Sequence, residues 1–183
     1  LSDGSDQGTA WSGPAYDDSY WSTGAAGYGY GDSDEQTPSA PRGLTHYFRQ
    51  WLEIDDLDRL TQLVVRLKRD DGAVVYLNGA EVWRSNMPEG DVTIDTEAAG
   101  GVSGTSETSF VTQAMPLTAL VEGRNLIAVE VHNMLNSSDV SFDLELVPTY
   151  SVAPVDPVTP TPTMTPTEPL VTPIPTTARP AVT

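Results

Sequence analysis

The chain has 183 residues, of which 26 are acidic and nine basic, and its formal charge is −17 at neutral pH. Nucleic-acid binders neutralise phosphates with Lys and Arg, so an acidic chain argues against a nucleic-acid partner. Its apolar runs are much shorter than the roughly 20 residues that cross a bilayer, and we expect no membrane insertion. The absence of cysteine excludes disulfides and thiolate metal sites.

The end of the chain differs in composition from the rest. Positions 151–183 hold nine of the 15 prolines together with nine threonines, in repeats such as Thr159-Pro160-Thr161-Pro162. Proline fixes φ and has no amide hydrogen, so this segment is predicted to be extended and to lack a packed core. We predict one domain over residues 1–147 and a disordered Thr/Pro-rich linker over residues 148–183. Because the chain begins without Met and ends inside the linker, we expect it to be part of a longer protein.

The region before the linker is predicted to form short strands. Residues 1–43 are rich in Gly, Ser, Asp and aromatics, which favours short strands and ordered loops. Within them, Tyr28-Gly29-Tyr30-Gly31 predicts a loop at a sheet rim or the wall of a ligand cleft. From Tyr47 onward apolar and polar residues alternate, as in a strand with one buried face. The same alternation predicts strands at 63–68, 125–132 and 139–147.

Turn signals divide the remaining segments. Asn78-Gly79 lies between two β-rich runs and predicts a hairpin over residues 73–84, because both residues tolerate positive φ. Further strands are predicted at 92–96 and 108–114, and a short helical turn at 116–120. No helical segment is long enough for a parallel crossover, so the pattern predicts an all-β protein with two antiparallel sheets.

Four motifs occur in order along the chain: Asp17-Asp18-Ser19-Tyr20-Trp21, Tyr47-Phe48-Arg49, the hairpin Val75–Val82 and the strand Gly123–Val131. Together they resemble the galactose-binding-like jelly-roll domains that accompany many glycoside hydrolases. The resemblance covers residues 1–147 and implies an antiparallel jelly-roll β-sandwich. It further implies a non-catalytic accessory module of a secreted or cell-surface multidomain protein.

The resemblance leaves several functions open, because one fold serves many roles. Such a module binds carbohydrate or a cell-surface glycan, or it supports a neighbouring catalytic domain of the same polypeptide, such as a hydrolase or a metallophosphoesterase. The segment Asp70-Asp71-Gly72 also resembles the Asp-Asp-Gly segment of the anthrax-protective-antigen-type module. In yeast adhesins that module holds Ca²⁺ with an Asp-Asp pair, which implies a calcium-dependent adhesion module as a further alternative.

The candidate sugar-binding residues lie on the polar face of the predicted strands. If the apolar residues point inward, alternation sends the intervening residues to the opposite face. A sugar ring has apolar C–H faces edged by hydroxyls, so its site needs aromatic rings with charged groups around them. The alternatives are a solvated face, or one covered by the N-terminal segment or by another domain. The predicted residues are Tyr47, Arg49, Trp51, Arg66, Lys68, Glu130 and His132.

The candidate metal ligands are Asp70 and Asp71. Two adjacent carboxylates begin the oxygen shell that Ca²⁺ prefers. Alternatively, both aspartates accept backbone N–H groups and fix the turn between two strands. A second group of acids in Gly-rich loops is the next choice for a structural Ca²⁺, with ordinary solvated acids as the alternative; it comprises Asp3, Asp6, Asp32, Asp34 and Glu35.

Catalysis has little support in the sequence. No Gly-x-Ser-x-Gly, His-Glu-x-x-His or phosphate-loop motif occurs, and a lone strand histidine such as His132 is usually structural. We therefore expect a non-enzymatic protein that requires no cofactor. The one bound ion that the sequence indicates is a structural Ca²⁺.

Overall fold

The computed structural model describes residues 1, 3–31, 35–38 and 43–152. The predicted linker lies outside the described residues from position 153 onward, and its first residues belong to the last strand. Within the described ranges, no helix is long and apolar enough to span a membrane. The strands there are β1 (Tyr28–Tyr30), β2 (Thr37–Pro38), β3 (Thr45–Ile54), β4 (Leu60–Asp70), β5 (Gly72–Leu77), β6 (Ala80–Ser85), β7 (Val111–Ala114), β8 (Gly123–His132) and β9 (Val140–Tyr150).

The strands form two sheets. Sheet I has the order β2-β1-β9-β4-β7, and sheet II has the order β3-β8-β5-β6. All neighbours pair antiparallel except the two-residue β1–β2 pair, which is parallel. The predicted all-β class with two sheets is therefore confirmed.

The Asn78-Gly79 signal is confirmed as the turn of the β5–β6 hairpin, because both residues have positive φ, 51° and 90°. The predicted helical turn is a 3₁₀ turn at Leu117–Ala119.

The strand predicted at 92–96 is wrong. Those residues form a turn in which the Thr96 amide donates to the Thr93 carbonyl oxygen, and the Thr93 amide donates to the Thr96 hydroxyl. The strand predicted at 108–114 is confined to its last four residues, in β7.

The main core lies between the sheets, where alternate apolar residues of long strands meet. β4 contributes Leu63, Val65 and Leu67, each at most 1% exposed. They face Val129 and Val131 of β8, which are similarly buried. This burial follows from the period-two alternation of the sequence.

A second apolar cluster lies on the outer face of sheet II. Trp11 is 2% exposed and packs against Tyr47 of β3 and Ala128 of β8. Its ring lies 4.8 Å from the Tyr47 ring and 5.5 Å from the Tyr76 ring, both edge-on. Trp11 belongs to the N-terminal segment, so this segment covers part of the outer face of sheet II, which the sequence left as either a sugar-binding or a covered face.

Candidate functional site

The predicted sugar-binding face of sheet II is covered. Tyr47, Glu130 and His132 do point to the outer face, as alternation predicted, but they are 3%, 5% and 0% exposed. Trp11 and Trp21 of the N-terminal segment lie over Tyr47. The expectation of an open sugar-binding surface at these residues is corrected, because the N-terminal segment covers Tyr47 and the Thr93–Thr96 turn lies against His132.

Arg49 fastens this covering segment. Its Nε donates to the Asp18 carboxylate at 2.7 Å, and Nη1 donates to the carbonyl oxygens of Trp11 and of Gly13. The Arg49 side chain is 2% exposed, whereas that of Asp18 is 37% exposed. Arg49 therefore serves the fold rather than a ligand.

Glu130 and His132 belong to a buried polar network. The Tyr76 hydroxyl donates to Glu130 at 2.5 Å, and burial followed by this bond raises the pKa of Tyr76. His132 Nδ1 lies 2.8 Å from the Thr96 carbonyl oxygen, so Nδ1 carries a hydrogen. The other ring nitrogen faces Glu130 at 3.3 Å. Both side chains are therefore part of the buried interior, and His132 Nε2 makes no hydrogen bond among the described residues.

The remaining predicted residues do not join this group. Trp51 is partly buried on β3, with the Arg124 guanidinium 4.3 Å above its ring. Arg66 and Lys68 lie on β4, in sheet I. Arg66 pairs there with Glu145 at 2.5 Å. The seven predicted ligand-binding residues are thus divided between two sheets and do not form one site.

The two predicted metal ligands have different surroundings, although both are buried. The Asp71 carboxylate accepts the amides of Val102 and Met134, both at 2.7 Å. These bonds match the turn-fixing alternative. Asp70 Oδ1 has no hydrogen-bond partner among the described residues.

The surroundings of Asp70 are acidic. Its carboxylate lies in a cluster with those of Glu107 and Asp139, in which one oxygen from each residue is within 4.8 Å of the others. Burial raises the pKa of Asp70 to about 8, and the neighbouring carboxylates, that of Asp71 first, add to the shift. Glu107 and Asp139 were not predicted from the sequence, because each is a single acid in a loop. The β4–β9 register could have found Asp139, since Asp70 pairs with Ser141.

The N-terminal acids serve local turns where the structure describes them. Asp3 accepts the Ser5 amide at 2.9 Å, and Asp6 accepts the Gly8 amide at 2.8 Å. The predicted ligands Asp32 and Asp34 lie outside the described residues. Glu35 borders a small recess beside β1.

A cavity of about 540 Å³ opens at one side of the sandwich. It lies where β3 is the edge of sheet II and β1–β2 form the edge of sheet I. Three aromatic rings line it: Phe48 and Phe142 stack with centroids 4.0 Å apart, and Tyr28 meets Phe48 edge-on at 4.8 Å. The predicted loop at the Tyr28 segment is wrong, because Tyr28–Tyr30 form strand β1, but its alternative role as a cleft wall agrees with the position of Tyr28 in the lining. Phe48 and Phe142 were not predicted as cavity residues.

The mouth of this cavity is polar. Gln50 is exposed on β3, and its amide donates to the Trp51 carbonyl oxygen. Asp3, Thr37 and residues 22–26 also border the cavity. Aromatic rings inside and polar groups at the mouth suit a ligand with apolar faces and polar edges.

Comparison with known proteins identifies relatives of the fold. No protein-family model matches the chain, and no curated protein matches it. The structure is similar to that of Bacteroides uniformis beta-glucuronidase, with 18% identity and a TM-score of 0.50, over 78% of this chain and 16% of that one. A calcium binding mutant of Bacteroides uniformis beta-glucuronidase 2 gives a TM-score of 0.43, with 18% identity over 79% of this chain and 18% of that one. The chain therefore corresponds in fold to about one sixth of a much longer glycoside hydrolase chain.

Proposed function

We propose that this chain is a non-catalytic, galactose-binding-like accessory module of a secreted or cell-surface multidomain protein. We further propose that it binds carbohydrate, such as a cell-surface glycan, in the cavity between β3 and β1–β2. The observation that carries the binding proposal is the aromatic cluster of Tyr28, Phe48 and Phe142 inside a cavity with a polar mouth.

The size and chemistry of the cavity support a small glycan. Ligand pockets usually measure about 300–1,000 Å³, and 540 Å³ lies within this range. A sugar ring would place its C–H face against the aromatic rings and its hydroxyls near Gln50, Asp3 and Thr37. The site would then combine apolar burial with hydrogen bonds, as sugar recognition requires.

A glycan array followed by calorimetry tests the proposal. The labelled 183-residue chain is applied to the array, and a bound glycan is titrated against the wild type and variants. Ala25→Trp adds a large side chain at the exposed mouth and should abolish binding. Gln50→Ala removes one hydrogen-bonding group and should weaken binding by about 2- to 10-fold.

Gln113→Ala is the matched control for Gln50→Ala. Both glutamines are exposed strand residues whose amides donate to the next residue's carbonyl oxygen. Gln113 lies on β7, outside the lining of the cavity. If Ala25→Trp bound the glycan with unchanged affinity, the cavity would not be the binding site.

Absence of binding across the array would favour the other role, support of a neighbouring domain. That role is favoured by the similarity of the chain to a small part of a long hydrolase.

A further inference from the structure

Three loop-borne or strand-end carboxylates meet at one end of the sandwich. Asp70 ends β4, Glu107 follows the 3₁₀ turn Gly104–Ser106, and Asp139 immediately precedes β9. One oxygen from each lies within 4.8 Å of the other two. The repulsion among three such carboxylates is unfavourable unless a cation or protons offset it.

Two buried oxygens, one in this cluster and one on a residue bonded to Asp139, have no hydrogen-bond partner among the described residues. Asp70 is 1% exposed and its Oδ1 is unpartnered, and Asn133 is 3% exposed with an unpartnered Oδ1. The Asn133 amide nitrogen donates to the Asp139 carbonyl oxygen at 2.9 Å, which fixes this side chain next to the cluster. A buried acceptor without a donor is destabilising, and a bound cation is one partner that would satisfy both oxygens while also offsetting the charge of the cluster.

No described residue donates a hydrogen bond to either oxygen. Arg69 is the basic residue whose charge interacts with Asp70 and Asp71. Its Nε donates instead to the Ser85 hydroxyl at 3.1 Å. Among the described residues it forms no ion pair with either aspartate.

Asp71 differs from its neighbour because both its oxygens already accept backbone amides. Those amides come from Val102 and Met134, in the β6–β7 and β8–β9 loops. Glu107 and Asp139 belong to the same two loops. Asp71 therefore holds both loops through their amides, whereas Asp70 meets one carboxylate from each of the same two loops.

We propose that Asp70, Glu107 and Asp139, together with Oδ1 of Asn133, hold a Ca²⁺ that joins the β6–β7 and β8–β9 loops. Calcium takes about six to eight oxygen ligands in irregular loop geometry. Three carboxylates and an amide oxygen supply the protein part of such a shell, and water completes it. This site is separate from the cavity of the proposed function.

Calorimetry and thermal unfolding test this site without any assay of glycan binding. Metal-free chain is titrated with calcium chloride, and its melting temperature is compared in saturating calcium and in excess EDTA. We expect one saturable site and a rise in melting temperature of about 5 to 10 °C at a hundredfold excess over Kd. Glu107→Gln and Asp139→Asn should each remove most of this rise.

Asp91→Asn is the control for loss of one negative charge, because Asp91 is an exposed acid outside the cluster. It should leave the calcium-dependent rise unchanged. Asp71→Asn should lower the melting temperature in both conditions and retain the rise.

No saturable binding in the wild type would overturn the proposal. A rise that persists in both Glu107→Gln and Asp139→Asn would also overturn it, as would a rise lost only in Asp71→Asn.

Discussion

Arg49 and Asp18 form an ion pair at 2.7 Å that holds the N-terminal segment against sheet II. The same guanidinium donates to the carbonyl oxygens of Trp11 and Gly13. Trp11 in turn covers Tyr47. One buried arginine thus organises the cover over the face that would otherwise present Tyr47 to solvent.

Arg49→Ala should lower the free energy of unfolding by about 2–4 kcal/mol. The substitution leaves two carbonyl oxygens without their donor and removes the partner of Asp18. Because Asp18 is 37% exposed, solvent offsets part of the lost ion pair, and the unpaired carbonyls dominate the effect. Urea denaturation measures the change.

Arg66→Ala is the matched control. Arg66 also pairs with an acid, Glu145, but the two side chains are 43% and 45% exposed. An exposed pair contributes at most about 1 kcal/mol. Equal losses in the two variants would show that Arg49 does not fasten the segment.

Asn125→Asp should be among the most destabilising isosteric changes in this chain. Asn125 is 0% exposed. Its Nδ2 donates to the carbonyl oxygens of Val121 and Gly123, while its Oδ1 accepts from the Val121 amide and from Asn78. A carboxylate would place an acceptor against two carbonyl oxygens, so we expect a loss of about 3 kcal/mol or more in unfolding free energy.

Asn136→Asp makes the same chemical change at an exposed loop position. Its effect on unfolding free energy should stay within about 1 kcal/mol, because Asp, like Asn, tolerates the positive φ of 72° at this position. If Asn125→Asp were as mild when both are measured by urea denaturation, the buried amide network would not stabilise the fold.

Much of the fold could be predicted because local patterns determine it. Alternation in Leu63, Val65 and Leu67 identifies β4 and its buried face, and Asn78-Gly79 identifies a hairpin. The same rule failed at 92–96, where Val92 and Ile94 also alternate. There a Thr93–Thr96 turn forms instead, because side-chain hydrogen bonds to the backbone compete with strand pairing.

The candidate sites were less predictable because they depend on contacts between distant segments. Alternation correctly sends Tyr47 and His132 to one face but does not say what covers that face. Asp70 was identifiable as an acid at a strand end, whereas its neighbours Glu107 and Asp139 come from separate loops. The cavity depends on two sheet edges lying opposite each other, which no local pattern encodes.

The pH dependence of stability should contain a contribution from His46. Burial, followed by nearby positive charge, lowers the pKa of His46 to about 4 from an ordinary value of 6.5. Between these values the unfolded chain binds the proton and the folded chain does not. This contribution to stability is therefore constant above about pH 6.5 and is lost as pH falls toward 4, by about 2 kcal/mol at pH 5.

Urea denaturation of the wild type and His46→Gln across this pH range isolates the effect. The raised pKa of Asp70 gives an opposite trend, stabilising the fold as pH falls from about 8 toward 4, but it is present in both proteins. The difference between the two curves should follow His46 alone. Parallel curves from pH 7 to pH 5 would contradict a buried neutral imidazole.

Gly72→Ala should lower the free energy of unfolding by about 1–3 kcal/mol, because the backbone lies too close for a side chain. A Cβ at Gly72 would lie 2.6 Å from the Asn86 carbonyl oxygen and 2.7 Å from the sulfur of Met87. The methionine can move, but the Asn86 carbonyl oxygen accepts the Ala99 amide at 2.8 Å and is held in place. Urea denaturation gives the magnitude.

Gly100→Ala is the control, in the β6–β7 loop that contains Asn86. A Cβ there meets nothing within 4 Å, and Gly100 does not have positive φ. Alanine lowers the conformational entropy of the unfolded chain, so Gly100→Ala should leave the free energy of unfolding unchanged or raise it by up to about 1 kcal/mol. Equal urea midpoints for the two alanine variants would contradict this prediction. They would show that the Asn86 carbonyl oxygen moves away from the added Cβ, so that the β6–β7 loop does not restrict position 72 to glycine.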